Sequence, residues 1–382
     1  MRRLTVLALG TALATTGLAL AVHAAPAKAP AADPTVRQPG WSPPKNAFGQ
    51  PDLSGYWSNA TMTPLFRNVK LTPGATMDPK DAQRVEKIFS DALAEDDKPT
   101  DPNETTEQLS KKASESALLK IRPEFKAAGG DVGGYNAAWI DPGSHIMEVN
   151  GEYRTSILTT PDGQIPKGKD GKPINPYAGY GRDTYDSYET RSLGERCIMG
   201  FGRNAGPPML SNGFYNNDYY IIQTADTVAI QIELIHDTRI VRLGGKHRTD
   251  GVRPWMGDSI GRWDGDTLVV ETTNIPKGEA WMGSWKNLKV TEWFTRVSPT
   301  RIDYRFQVED PDTWDKPWGG EYDFSPMKGV IYEYACHEGN YALPSILAGA
   351  RRQEKEAAEA AATKVSAPAP SAAGGKGGPG GR

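Results

Sequence analysis

From about residue 135 onward, apolar and polar side chains alternate with a period of two. The run 301–309 is the clearest case. Ile302, Tyr304, Phe306 and Val308 fall on one face of a strand, and Asp303, Arg305, Gln307 and Glu309 on the other. That pattern predicts one buried and one wet face. Comparable runs at 146–149, 153–159, 218–224, 227–234, 238–243, 259–263, 267–273, 288–297 and 330–336 bring the total to about ten short strands. A further short strand is expected near Asp52–Trp57. Asn150-Gly151, Asp264-Gly265-Asp266 and Ser298-Pro299-Thr300 supply tight turns between neighbours. Strands joined so closely pair antiparallel. Such a meander must close or cover its edges, so the expected fold is mainly β: an up-and-down barrel or a strongly bent sandwich. A parallel α/β fold is disfavoured, because helices do not alternate with the strands. No fixed repeat points to a propeller.

The period changes to 3.6 over 78–93. Asp78 suits an N-cap and Pro79 the first helical position, and Ala82, Val85, Ile88, Phe89 and Leu93 share one face. A second helix is expected over 105–125, so a helical insert spans about 78–127. A C-terminal helix is expected over 344–364, with strong helix formers from Arg351 to Ala362. The tail beyond it, rich in Gly, Pro and Ala, cannot bury a core.

Composition supports this reading. Among 382 residues there are 41 glycines, 30 prolines, 15 tyrosines and 10 tryptophans, a mix suited to turn-rich β-structure. The net charge of −3 gives no electrostatic case for nucleic-acid binding. The chain divides into a signal-like segment (1–24), an Ala/Pro-rich linker (25–45), one β-rich domain (46–350) carrying the helical insert, and the helix end with its tail (351–382).

Arg2 and Arg3 precede a mostly apolar stretch from Leu4 to Val22, and Val22-His23-Ala24 places small residues where a signal peptidase cuts. Export to the periplasm or medium is therefore expected, with no membrane span after cleavage. An oxidising compartment changes the reading of the two cysteines, Cys197 and Cys336. A disulfide is expected; a reactive thiolate at Cys336 beside His337 is the alternative.

Two resemblances follow from short motifs. Gly55-Tyr56-Trp57 and Gly261-Arg262-Trp263 resemble the Gly-x-Trp element at the first strand of lipocalins, which implies a ligand cavity within the barrel. A broader set includes Asp52-Leu53-Ser54-Gly55-Tyr56-Trp57, Gly206-Pro207-Pro208-Met209, Gly261-Arg262-Trp263-Asp264-Gly265-Asp266 and Tyr332-Glu333-Tyr334-Ala335-Cys336-His337. It resembles a family of exported, mostly hypothetical proteins of soil bacteria. That likeness covers most of 50–350 and implies one folding unit and export, but no reaction.

Candidate chemistry is spread thinly. No G-x-S-x-G elbow, P-loop, C-x-x-C or H-E-x-x-H is present, so no cofactor and no metal is expected. His236-Asp237 and His337-Glu338 fall at strand ends, and a His/His/carboxylate site built from them stays open as an alternative to ordinary turn histidines. For general acid–base work the candidates are His236 and His337 with Glu271 and Glu333; Glu233 and Glu292 also lie in strands. A cavity-facing carboxyl would have a raised pKa, but alternation alone does not set which face is inner. Trp263, Trp281, Trp285, Trp314 and Trp318 are candidate ligand-binding residues, either lining a pocket mouth or covering the barrel core. Arg296 is a candidate anion clamp, with an ion pair to Glu292 as the simpler account.

The first functional expectation is an exported barrel binding a small, partly aromatic or apolar molecule. The alternative is a cofactor-independent lyase, isomerase or hydrolase using His/Glu acid–base chemistry. A structural role in the envelope is the third.

Overall fold

Odd strand number governs the architecture. In the computed structural model nine strands close a barrel in the order β1-β12-β11-β10-β9-β8-β7-β6-β5, with β5 returning to β1. These are β1 (Gly55–Ser58), β5 (Asp218–Gln223), β6 (Thr227–Ile232), β7 (Thr238–Leu243), β8 (Asp258–Asp264), β9 (Thr267–Thr273), β10 (Lys289–Ser298), β11 (Arg301–Glu309) and β12 (Trp318–Pro326). A ring of nine cannot be antiparallel throughout, since directions alternate fully only when the count is even. The one parallel junction is β7 with β8. The chain reaches it by a strap, 244–257, that carries it back to the starting end of β7. Arg242 pairs with Asp258 at 2.6 Å, and His247 bridges Asp258 (3.0 Å) and Glu271 (3.1 Å), which holds the strap on the outer wall. The up-and-down expectation is met except at this junction.

The structure describes residues 39–366 apart from 71, 97–100, 102, 109–110, 112–140, 142, 176–184, 201–205, 211–214 and 328. The signal-like segment, most of the helix expected over 105–125 and the tail beyond 366 lie outside the described residues.

Three strand assignments differ from expectation, the first being the run 153–159, where the strand is only Glu152–Arg154. Trp318–Pro326 is a barrel strand, although Gly319-Gly320 and Pro326 read as loop punctuation. The glycines are there for close approach: a Cβ on Gly319 would sit 2.0 Å from the Phe306 carbonyl oxygen, and one on Gly320 would sit 2.7 Å from the Phe306 ring. Conversely, 330–336 is not a strand. Once β1 pairs with both β12 and β5, the barrel has no free edge left to receive it.

A separate three-stranded sheet, β2-β4-β3, joins β2 (Thr76–Met77), β3 (Glu148–Val149) and β4 (Glu152–Arg154). Asn150 and Gly151 turn its hairpin with positive φ angles of 55° and 77°. Helix α1 (Pro79–Asp96) starts under an Asp78 cap, which accepts from Lys80 N at 2.8 Å. Its Ala82 and Phe89 pack on Met62 and Ile146. Helix α2 (Ala342–Ser366) is the expected C-terminal helix, exposed from 351 to 362.

Cross-strand register puts Phe294, Tyr304, Phe306, Tyr322 and Phe324 on the inner face, all 1% exposed or less. The lumen around them is packed with side chains. It also holds a buried ion pair. Arg239 grips both oxygens of Glu292, one at 3.0 Å, and the same carboxylate accepts from Tyr304 OH at 2.8 Å. Ser259 and Thr272 each accept a further hydrogen bond from Arg239, at 3.1 and 2.9 Å. Above this layer Met209 plugs the barrel: its N–H donates to Tyr304 OH at 2.9 Å and its carbonyl accepts from Tyr322 OH.

Candidate functional site

A cleft opens at the end of the barrel where β5 begins and β6 stops. Tyr219 pairs with Ile232, so the next residues outward, Asp218 and Glu233, meet at the rim. Glu233 N donates to the Asp218 carbonyl at 2.9 Å, and the two carboxyl groups hydrogen-bond to each other. Asn216 donates a side-chain hydrogen bond to Glu233, and Tyr332 N reaches Glu233 Oε1 at 3.3 Å. The chain then turns through Ile235 at φ 66°, a left-handed conformation that costs a β-branched residue energy.

The opposite wall is the segment 330–341, which crosses this end without forming a strand. The sulfurs of Cys336 and Cys197 stand at bonding distance, with Cα atoms 5.7 Å apart and 139 residues between them in sequence. Asn340 Nδ2 adds a hydrogen bond to the Glu195 carbonyl at 3.1 Å. The first turns of α2 complete the wall through Leu343 and Ile346. Between the walls is a cleft of about 780 Å³. Its apolar lining is Tyr215, Tyr332, Tyr334, Leu343 and Ile346, and its polar lining is dominated by Asp141, Asp218, Glu233, Glu333 and Glu338. Among the described lining residues there is no Lys, Arg or His. Glu195 also lines it, but is held by Arg191 at 2.7 Å.

Burial and the neighbouring Glu233 push the Asp218 carboxyl up to about 7, against the opposing hydrogen bond from Ser58. Burial also raises Glu233, partly offset by the Tyr332 and Asn216 donors. Two adjacent carboxyls at a cleft wall therefore hold a proton near neutral pH. That arrangement can exchange a proton with a bound molecule or balance a positive charge.

The residues singled out from sequence are dispersed. Glu333 lines the cleft. His337 is exposed on the bend beyond Cys336 and is not among the lining residues. His236 belongs to the short 3-10 turn Leu234–His236, and its side chain lies outside the described residues. Glu271 is on the outer wall of β9, occupied by His247 and, at 3.7 Å, by Lys289. Of the three whose side chains are described, only Glu333 is among the cleft-lining residues.

Trp281, Trp314 and Trp318 are 5% exposed or less and pack on one another with ring centroids 5.3 Å apart along the series. They cover the core at the barrel end. The indole N–H groups of Trp314 and Trp318 are buried without a hydrogen-bond partner. Trp285 carries the Arg253 guanidinium 5.2 Å from its ring centre, and Trp263 is half-buried on the inner face of β8. Arg296 does not pair with Glu292. It donates to the Asp52 carbonyl at 2.9 Å and the Pro299 carbonyl at 3.1 Å and lies over Trp57, while Glu292 belongs to Arg239.

Sequence reasoning passed over Asp218 and Asp141. Asp218 carried one signal, an acid that follows Asn216-Asn217 at the first position of a strand. A second missed cluster lies on the outer wall of β11 and β12. Asp323 accepts from His145 at 3.2 Å and lies opposite Asp303. Burial and the Asp323 charge raise Asp303 to about 8, and neither of its oxygens has a hydrogen-bond partner. Burial opposes charging His145, but the Asp323 hydrogen bond together with the Asp323 and Glu86 charges outweighs it, and the pKa rises. Among the described residues no group of three or more His, Cys, Asp or Glu side chains is placed to hold a metal ion.

No family model, curated protein or solved structure matches the chain significantly. Among the described residues no helix is long and apolar enough to cross a membrane.

Proposed function

We propose that this is an exported barrel protein that binds a small, partly apolar molecule in the cleft at the barrel end, not in the lumen. The carrying observation is the Asp218–Glu233 carboxyl pair set in the wall of a cleft that also presents tyrosine, leucine and isoleucine side chains. Apolar walls with a few convergent polar groups are the usual make-up of a ligand site. The lumen is a poorer place, because large buried side chains and the Arg239–Glu292 pair fill it. Export rests on the basic-then-apolar N-terminal stretch, and the Cys197–Cys336 pair is compatible with it.

The test is native mass spectrometry of protein purified from its own envelope, alongside the variant Ile346→Trp, which fills the cleft. The expected result is a small molecule on the wild type that is missing from the variant. A molecule carried equally by both, or by neither, would refute cleft binding.

One observation favours a second reading. A carboxylic acid that titrates near 7 beside another carboxyl is suited to acid–base catalysis. If the cleft is catalytic, wild-type protein converts the bound molecule on incubation, and Asp218→Asn binds it without converting it. Recovery of the unchanged molecule from both proteins would leave binding alone.

A further inference from the structure

We propose that the cleft selects an organic cation, a molecule joining an ammonium or similar group to a flat apolar body. This inference rests on the cleft-binding reading and adds the ligand's chemistry to it. Three features of the cleft point the same way.

The first is charge. The described lining residues include several carboxyl groups and no basic side chain, although the whole chain is close to neutral at −3. Among the lining carboxylates, Glu195 is satisfied by Arg191 from outside the cleft. An anion entering here meets net repulsion from the described lining carboxyls, whereas a cation is attracted by them.

The second is the pair at the rim. Asp218 and Glu233 are adjacent and hydrogen-bonded, and Glu233 is only 5% exposed. Two such groups cannot both ionise cheaply unless a positive charge joins them. An ammonium group has three N–H donors, enough to bridge both carboxyls while replacing the proton they share. The proton then leaves to solvent, so charge balances.

The third is the apolar wall. Tyr215, Tyr332 and Tyr334 bring aromatic side chains to the lining and Leu343 and Ile346 aliphatic ones. Aromatic faces attract cations as well as flat apolar groups. A bare metal ion would leave this wall unused.

The test is a charge series on one body. The full chain is titrated by calorimetry at pH 8 with 2-phenylethylammonium, with neutral 2-phenylethanol and with anionic 3-phenylpropionate, in wild type and in the Asp218→Asn/Glu233→Gln double variant. Circular dichroism establishes that the variant is folded; if it is not, Glu233→Gln alone takes its place. The expected result is that the ammonium binds wild type at least about tenfold more tightly than the alcohol. That preference disappears in the variant. Equal or tighter binding of the alcohol or the carboxylate overturns the cation inference and leaves the cleft reading in place. A cation preference that survives in the variant overturns the role of the carboxyl pair. If none of the three binds up to about 10 mM, a weak limit even for fragments, the inference falls, and the Ile346→Trp comparison decides separately whether the cleft binds anything.

Discussion

Asp218 and Glu233 are fifteen positions apart in sequence and hydrogen-bond through their carboxyl groups at the barrel rim. A carboxyl whose folded pKa lies above its unfolded value favours the folded state most at low pH. That contribution is full below about 4 and is lost as pH rises through the folded value, here about 7. Asp218→Asn removes the titration. The variant is expected to melt above wild type at pH 8, with the difference shrinking as pH falls to 4. Each kcal/mol relieved shifts Tm by about 2–4 °C in a domain of this size. Asp303→Asn is expected to give the same signature with its midpoint nearer pH 8, because the folded pKa of Asp303 is about 8. Thermal melts at three pH values check both.

The Arg239–Glu292 pair is 1% exposed or less on both sides. Losing one partner leaves an uncompensated charge among aromatic rings. Glu292→Gln is expected to destabilise by about 3–5 kcal/mol. Arg239→Met with Glu292→Leu removes both charges and is expected to recover most of that loss. Urea titration of the two variants measures the difference.

The disulfide closes a long loop and secures one wall of the cleft. Reduction is expected to cost about 2–4 kcal/mol. The loss has a location: amide exchange should rise over 330–341 under mild reductant while β9 to β11 stay protected. Uniform loss of protection would show that the bond supports the whole barrel equally.

Two tryptophans of similar burial should respond differently to the same change. Trp57 Nε1 donates to the Leu53 carbonyl at 2.9 Å, whereas Trp318 Nε1 has no partner. Trp57→Phe strands a buried acceptor and is expected to cost about 1–3 kcal/mol beyond the lost packing. Trp318→Phe pays the packing loss alone. Denaturation midpoints of the two variants, compared with wild type, check this.

Local patterns made much of the fold legible. The alternation in 301–309, the Asn150-Gly151 turn and the Asp78-Pro79 helix start each depend on neighbours within a few residues, and each forms. The strand Trp318–Pro326 was hidden because its glycines serve a contact with Phe306, more than ten residues earlier. The run 330–336 has strand-like composition, yet a closed ring offers it no edge.

The candidate site was legible only in part for the same reason. Glu333 and the cysteine pair could be marked from sequence, but nothing in the spacing says that Asp218 meets Glu233 or that Glu271 faces outward. A one-residue shift of register reverses every inward and outward choice. The sequence by itself determined the class of structure, its tight turns and the start of its first helix, because these depend on short-range backbone and side-chain preferences. The tertiary structure alone decided the parallel β7–β8 junction, the filled lumen, the pairing of Glu292 with Arg239 instead of Arg296, and the acidic cleft. Those depend on ring closure and on contacts between residues far apart in the chain, which local preference does not encode.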